Sequence, residues 1–246
     1  MSSFVLVHGS WHGAWCWDKM VPRLEAAGHQ AIAIDLPGHG ADSTPLEGMT
    51  LASYADRVCE TLAALPEPAI LVGHSMAGVV ISQAAEQCPE RIRTLVYLAA
   101  YLPRDGESLL QLALTDAGSQ ITPALVLDEA HGYHYLREDA RPAALYHDCS
   151  PADVARAQSL LVVESNAVVG TPVHLTTARY GRVPRVYIRT TQDRGVTPEL
   201  QDRMIAAAPC AQVFTLATSH SPFLSDPDSL LAQLTAIAAM PVAVPA

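Results

Sequence analysis

The chain has 246 residues, of which half are hydrophobic and 16% are charged, and its formal net charge is -10 at pH 7. This length is typical of one or two domains, and the apolar content is sufficient for a full hydrophobic core. The excess of acidic residues would repel nucleic acid and anionic membrane surfaces. The composition therefore argues against a partner of either kind.

The N-terminal residues enter an apolar, strand-like pattern almost at once. Residues 1–8 contain no basic region, long apolar core or cleavage site of a secretory signal. No apolar run approaches the roughly 18 residues that suggest a membrane span. A cytoplasmic location is therefore predicted.

The cysteines are odd in number and widely scattered along the chain. They are Cys16, Cys59, Cys88, Cys149 and Cys210. This distribution favours reduced thiols over a disulfide framework or a C-x-x-C redox pair.

Strand-like apolar runs alternate with amphipathic helical segments over much of the chain. Strands are predicted at 4–8, 30–35, 69–73, 94–99, 186–191 and 212–216, and helices at 17–27, 51–65, 76–87, 198–207 and 228–239. Nearly continuous Val, Ile, Leu and Ala within the strands is typical of a parallel sheet that is covered on both faces. The prediction is an α/β fold with a mostly parallel central sheet of about six strands flanked by helices.

This alternation stops between residues 103 and 183. The segment is rich in helix formers, tyrosine and histidine, and we interpret it as an inserted, largely helical cap at 104–182. The core then comprises 1–103 and 183–246. Ser150-Pro151 predicts a helix start in the cap, with serine as N-cap and proline at the first helical position.

The segment 69–78 has the pattern of a strand that runs into a small-residue turn with Ser75 at its apex. This is typical of a nucleophile elbow, in which Gly73 leaves room for closely packed backbone. The G-x-S-x-G pattern is not complete, because Ala77 stands where the second glycine belongs and Gly78 follows it. Alanine fits there if the backbone does not need a positive φ.

A serine hydroxyl needs a base to take its proton and a carboxylate to orient that base. Asp193 and His220 follow the last two predicted strands in the order Ser, Asp, His. Asp193 could also be a turn acid, and His220 could cap the next helix. Asp35 and Asp105 follow earlier strands and are competing carboxylates.

Two backbone N–H groups are predicted to form an oxyanion hole beside Ser75. One belongs to Met76, and the other belongs to Ser10, in a turn where Gly9 gives the backbone freedom. The alternative is that His8-Gly9 is a plain turn at a strand exit.

Aromatic residues and histidines cluster in and near the predicted cap. Trp11, Tyr133 and Tyr135 are candidates for a substrate pocket, although packing explains such residues equally well. The spacing of His131, His134, His147 and Cys149 fits no common zinc site, so no metal is predicted. No cofactor is predicted either.

The chain resembles the methylesterase and hydroxynitrile lyase branch of the α/β hydrolases, which includes methyl salicylate esterases and polyneuridine aldehyde esterase. The matching blocks are residues 8–17, 73–78, 148–154 and 183–188. The resemblance implies Ser75, His220 and Asp193 as the catalytic triad, and the amides of Ser10 and Met76 as the oxyanion hole. It also implies a helical cap over an apolar pocket, and a homodimer.

Two positions bear on the reaction within that branch. The lyases resemble one another in having a threonine and a lysine where this chain has Gly9 and Ser221. A neutral serine cannot supply the positive charge that stabilises departing cyanide. The prediction is a cofactor-independent serine carboxylesterase for small apolar or aromatic esters, including methyl esters. A hydroxynitrile lyase and a non-catalytic small-molecule receptor are the alternatives.

Overall fold

The structure is a computed structural model that describes residues 1–241; the last five residues of the predicted core, 242–246, lie outside the described residues. A parallel six-stranded sheet forms its centre, and its strands are β1 (Ser3–Val7), β2 (Gln30–Ile34), β3 (Ala69–His74), β4 (Ile92–Leu98), β8 (Arg185–Thr190) and β9 (Gln212–Leu216). Their order across the sheet is β2-β1-β3-β4-β8-β9. The predicted α/β architecture is confirmed.

Helices cover both faces of this sheet. In the core they are α1 (Val21–Ala26), α2 (Leu51–Ala63), α3 (Ala77–Gln87), α8 (Pro198–Ala207), α9 (Pro222–Ser225) and α10 (Pro227–Ala239). None of the helices in residues 1–241 has the length and hydrophobicity of a membrane span. The segment predicted as one helix at 17–27 divides into a 3-10 turn (Ala14–Trp17) and α1, because Pro22 starts a new helix at its first turn.

Alternate residues of the central strands enter two separate hydrophobic clusters. In β1, Phe4 and Leu6 belong to one cluster, whereas Val5 and Val7 belong to the other, and all four are fully buried. Because successive side chains of a strand point to opposite faces, both faces of the sheet are covered. This explains why the strand sequences are apolar without interruption.

Between β4 and β8 lies a segment that we call the insertion (residues 104–182). It contains α4 (Leu109–Ala113), α5 (Arg141–Leu145), α6 (Pro151–Leu160) and α7 (Asn166–Gly170). It also contains a three-stranded antiparallel sheet formed by β5 (Leu125–Asp128), β6 (Tyr133–Leu136) and β7 (Glu164–Ser165). The sequence-based description as largely helical missed these short strands. The predicted helix start is confirmed, since the Ser150 hydroxyl accepts the backbone N–H of Asp153 at 3.2 Å.

Two of the five cysteines are paired. Cys59 and Cys88, 29 residues apart, form a disulfide, whereas Cys16, Cys149 and Cys210 are free. The expectation of five reduced thiols is therefore wrong for this pair. The two residues meet because α2 packs against α3, which is a tertiary contact that sequence spacing does not reveal.

Candidate active site

Ser75 lies on a tight turn between β3 and α3, with a positive φ of 54°. Such a φ is strained for a non-glycine residue and is typical of a serine at the apex of an elbow. A Cβ on Gly73 would lie 2.9 Å from the Ala77 carbonyl oxygen, so this glycine permits close packing of β3 and α3. Ala77 does not have a positive φ. It therefore fits the position where the G-x-S-x-G pattern has glycine.

Gly78 has a stricter role than the sequence indicated. A Cβ at this position would lie only 1.9 Å from the backbone oxygen of Tyr101. That oxygen belongs to the loop after β4, whose Tyr101 N–H donates to the Ser75 carbonyl at 3.1 Å. The turn at Ser75 and the loop after β4 thus pack backbone against backbone.

The structure brings Ser75, His220 and Asp193 into one hydrogen-bonded line. His220 Nε2 lies 3.0 Å from Ser75 Oγ, and His220 Nδ1 lies 2.8 Å from Asp193 Oδ2. All three residues are buried. Since a carboxylate only accepts hydrogen bonds, Nδ1 carries the proton and Nε2 presents a lone pair to the serine hydroxyl.

The Asp193 carboxylate is held by several donors besides His220. Its Oδ1 accepts the backbone N–H groups of Gly195 at 2.7 Å and Val196 at 2.9 Å. Its Oδ2 accepts the Thr190 hydroxyl at 3.0 Å and Gln201 Nε2 at 3.3 Å. These bonds fix the orientation of the carboxylate.

The competing carboxylates have other partners. Asp35 Oδ1 accepts the backbone N–H of Ala14 at 2.6 Å, and its Oδ2 accepts that of Ala41 at 3.1 Å. Asp105 Oδ1 accepts the backbone N–H of Leu175 at 2.8 Å. Asp193 is thus the carboxylate that contacts His220.

The loop after β1 comes close to Ser75 on its other side. A Cβ on Gly9 would lie 2.8 Å from Ser75 Cβ, so only glycine allows this approach. Among residues 1–241, neither the Ser10 N–H nor the Met76 N–H has a hydrogen-bond acceptor. β1 lies between β2 and β3, so the chain reverses its direction of winding here, and a crevice opens at such a point. Both predicted donors are therefore available beside the serine.

Three buried histidines hold the backbone around this crevice. The His8 ring contacts the Gly9 carbonyl at 2.9 Å, the His12 ring contacts the Ser10 carbonyl at 2.7 Å, and the His74 ring contacts the His220 carbonyl at 2.8 Å. Because a carbonyl only accepts, each of these ring nitrogens donates. Burial lowers the pKa of His12 to about 4 and lowers the pKa values of His8 and His74 well below their usual range. All three are neutral at pH 7.

Three consecutive residues of the insertion contact the three loops of the site. The Tyr146 hydroxyl lies 2.6 Å from His12 Nε2, beside the loop after β1. His147 Nε2 lies 2.8 Å from the Gln192 carbonyl oxygen, next to Asp193. The Asp148 carboxylate accepts both the backbone N–H and the hydroxyl of Ser219, next to His220. Sequence reasoning did not identify these contacts.

A cavity of about 200 Å³ lies between Ser75 and the insertion. Its wall is mostly aliphatic and comes from the loops after β1 and β4 and from the insertion: Ser10, Trp11, Ser75, Tyr101, Leu109, Leu110, Ala113, Leu114, Ile121, Thr122, Leu125, Leu127, His134 and Val169. Such a cavity suits a small, largely apolar ligand.

Of the three predicted pocket residues, only Trp11 lines this cavity. Tyr133 and Tyr135 lie outside its wall, and His134 between them lies inside it, because neighbouring residues of β6 face opposite ways. The other residues of the rejected zinc cluster have separate partners. His131 pairs with Asp128, and His147 contacts the loop that carries Asp193.

Comparisons with known proteins agree with this fold. A model described as "Alpha/beta hydrolase family" matches residues 4–234. Salicylic acid-binding protein 2 of Nicotiana tabacum is 34% identical, over 96% of this chain and 96% of that protein. Methylesterase 1 of Arabidopsis thaliana is 33% identical, over 92% of each chain.

A crystal structure of polyneuridine aldehyde esterase superposes with a TM-score of 0.89 at 28% identity, over 97% of this chain and 99% of that one. The chain spans 73%, 63% and 56% of the lengths of three longer Arabidopsis thaliana relatives, each 34% identical. The family match covers most of the chain, and the fold carries the corresponding sheet, elbow and loops. The chain belongs to the alpha/beta hydrolase family.

Proposed function

We propose that this protein is a serine carboxylesterase that hydrolyses small apolar or aromatic esters, including methyl esters, through an acyl-enzyme. The observation that carries the proposal is the hydrogen-bonded line Ser75–His220–Asp193 at an apolar cavity. A methylesterase and an esterase are among the similar proteins. These relatives support ester hydrolysis as the reaction class.

In the first step, Ser75 Oγ attacks the ester carbonyl carbon while His220 Nε2 takes the hydroxyl proton. The carbonyl oxygen becomes negatively charged and accepts the backbone N–H groups of Ser10 and Met76. These two amides are already free of other acceptors within the described residues. Little reorganisation is therefore needed when the charge develops.

In the second step, the tetrahedral intermediate collapses: the carbonyl double bond reforms, the bond to the alcohol oxygen breaks, and the imidazolium of His220 gives its proton to the departing alkoxide. The acyl group stays on Ser75 until His220 activates a water molecule that hydrolyses it. Asp193 keeps the proton of neutral His220 on Nδ1, and it stabilises the imidazolium in both steps. Its four additional donors keep it correctly oriented.

We further propose that the insertion acts as a cap that defines the acyl or alcohol pocket. Its leucines and valine form much of the cavity wall. A cavity of about 200 Å³ fits a small ester and excludes bulky ones. A cytoplasmic location and a homodimer remain predictions.

A lyase reaction on a cyanohydrin would need positive charge at the departing cyanide. Ser221 follows His220 and is buried and neutral. A neutral hydroxyl stabilises an anion less than a lysine does. Ester hydrolysis is thus the better supported reaction.

The test is steady-state hydrolysis of p-nitrophenyl acetate and methyl benzoate by the wild type and by Ser75→Ala. We expect kcat to fall at least about 10⁴-fold in the variant, because removing the nucleophile eliminates the covalent route. Ser159→Ala, on the exposed side of α6, is the matched control and should keep wild-type rates. Wild-type turnover by Ser75→Ala would refute the proposal.

A further inference from the structure

His134 is a polar residue in an otherwise apolar part of the cavity wall. It lies on β6, is 3% exposed, and its ring packs edge-on against Trp11 with ring centroids 5.8 Å apart. Trp11 follows Ser10, so His134 borders the part of the cavity nearest to the oxyanion donors. The proposed reaction assigns no step to this residue.

The hydrogen-bond partner of His134 fixes which of its nitrogens carries the proton. Nδ1 lies 2.9 Å from the side-chain oxygen of Asn166, and an amide oxygen only accepts, so Nδ1 carries the hydrogen. Burial lowers the pKa of His134, which favours the neutral ring. Nε2 is then a hydrogen-bond acceptor with a free lone pair.

Among residues 1–241, the His134 side chain forms its hydrogen bond through Nδ1, and Nε2 receives none. Asn166, the partner of Nδ1, is not part of the cavity wall, whereas His134 is. We infer from this that the ring edge opposite Nδ1 faces the cavity. The neighbouring wall residues Leu125, Leu127 and Val169 offer no polar hydrogen, and the indole N–H of Trp11 has no hydrogen-bond partner among residues 1–241, so it does not donate to Nε2. A ligand that fills the cavity without a donor would cover an unpaired acceptor, which is unfavourable.

We propose that His134 Nε2 is a specificity determinant that accepts a hydrogen bond from a hydroxyl or N–H group on the apolar part of the substrate. This inference rests on the proposed ester hydrolysis and narrows its substrate class. The preferred substrates are small apolar or aromatic esters that carry one hydrogen-bond donor away from the ester group.

The first test compares matched esters as substrates. Methyl 3- and 4-hydroxybenzoate each carry a donor, their methyl ethers carry only an acceptor, and methyl benzoate carries neither; 4-hydroxybenzyl acetate and benzyl acetate place the same difference on the alcohol side. For the wild type we expect at least one hydroxylated ester to exceed both its methyl ether and its unsubstituted counterpart by about tenfold in kcat/KM.

The second test replaces the acceptor. In His134→Leu the ratio of kcat/KM for the hydroxylated ester to that for the unsubstituted ester should fall to within about twofold. His131→Leu makes the same replacement at an exposed position of the β5–β6 turn, outside the cavity wall, and should keep the wild-type preference.

Variants at Asn166 change the tautomer of His134 without changing the residue itself. Asn166→Asp still accepts from Nδ1, but its carboxylate also favours the protonated ring, so this variant should retain the preference at alkaline pH, where His134 is neutral, and lose it as the pH falls. Asn166→Leu removes the acceptor that fixes the proton on Nδ1, so the preference should weaken. The pair also keeps the test valid if His134→Leu does not fold.

Binding to Ser75→Ala separates recognition from turnover. The dissociation constant of the preferred hydroxylated ester should be about tenfold lower than that of its unsubstituted counterpart, and the difference should vanish in Ser75→Ala/His134→Leu. Equal kcat/KM for all the esters, or a preference for the methyl ethers, would overturn the role of His134. Absence of any Ser75-dependent hydrolysis would instead overturn the proposed function.

Discussion

The Asp148 carboxylate accepts the backbone N–H of Ser219 at 2.7 Å and also the Ser219 hydroxyl. Ser219 directly precedes His220, so a residue of the insertion fixes the backbone that carries the proposed base. Tyr146 and His147 make comparable contacts to the loops that carry Ser10 and Asp193. The insertion therefore determines both the pocket wall and the position of the groups that would react.

Replacing Asp148 by alanine tests this positioning. Two hydrogen bonds to Ser219 are lost, so the loop of His220 gains freedom, and we expect kcat to fall about tenfold with a smaller change in KM. Asp139→Asn is the control, because Asp139 is exposed and pairs with Arg137 at 3.2 Å, away from the loops of the site. Unchanged kcat in a folded Asp148→Ala variant would contradict the positioning role.

The packing of the nucleophile elbow predicts that substitution of Gly78 lowers esterase activity, whereas substitution of the neighbouring Ala77 has little effect on it. In Gly78→Ala, the new Cβ would collide with the Tyr101 carbonyl oxygen, so the turn must shift and esterase activity should fall by at least about 10²-fold. In Ala77→Gly, activity should remain within about threefold, with about 1 kcal/mol less stability because glycine is a poor helix residue. Kinetics and urea unfolding of both variants measure this, and equal activity in both would count against the close packing.

The neutral buried histidines predict a loss of stability on mild acidification. The pKa of His12 is about 4 in the folded state and 6.5 as the ordinary value, so the unfolded state binds more protons between these limits. The contribution of neutral His12 to the free energy of unfolding is intact above pH 6.5 and decreases as the pH falls towards 4.

The matched variant for this effect is His12→Gln, which keeps a donor and an acceptor but does not titrate. From pH 7.5 to pH 5, the free energy of unfolding should fall by about 2 kcal/mol more in the wild type than in this variant. Urea unfolding at the two pH values measures the difference. An equal pH dependence in both proteins would show that His12 is not held neutral.

The Cys59–Cys88 disulfide predicts three titratable thiols, rather than five, in the denatured and unreduced protein. In Cys59→Ala/Cys88→Ala, the unfolded chain regains the freedom of a 29-residue loop, so stability should fall by about 3–4 kcal/mol. Thiol titration and urea unfolding test these points. Cys210→Ala, which removes a free thiol, is the control. Detection of five reactive thiols in the denatured protein without a reducing agent would exclude the disulfide.

Local patterns were sufficient for the sheet and for the line of Ser75, His220 and Asp193. Ser75 directly follows β3, Asp193 and His220 lie in the loops after β8 and β9, and parallel strands bring their carboxyl ends to the same edge. The order of the strands then brings Ser75 together with Asp193 and His220, which lie 118 and 145 residues after it in the chain. The order of the three residues along the chain and their positions after strand ends were therefore the basis for predicting that they meet.

Contacts made by the insertion could not be predicted in the same way. Its strands are two to four residues long, which is too short for a clear alternation of apolar and polar residues. Asp148 and Ser219 meet only through tertiary packing, as do Cys59 and Cys88. His134 did show a weak signal, because Tyr133-His134-Tyr135-Leu136 can be read as an alternating strand that places His134 and the tyrosines on opposite faces.

The most direct test of the central claim is mass spectrometry of the protein after reaction with a fluorophosphonate or after rapid quenching with p-nitrophenyl acetate. We predict a single covalent adduct on Ser75 that is absent from Ser75→Ala and forms at least about 10³-fold more slowly in His220→Ala. An adduct on another residue, or labelling that does not depend on Ser75 and His220, would contradict the account.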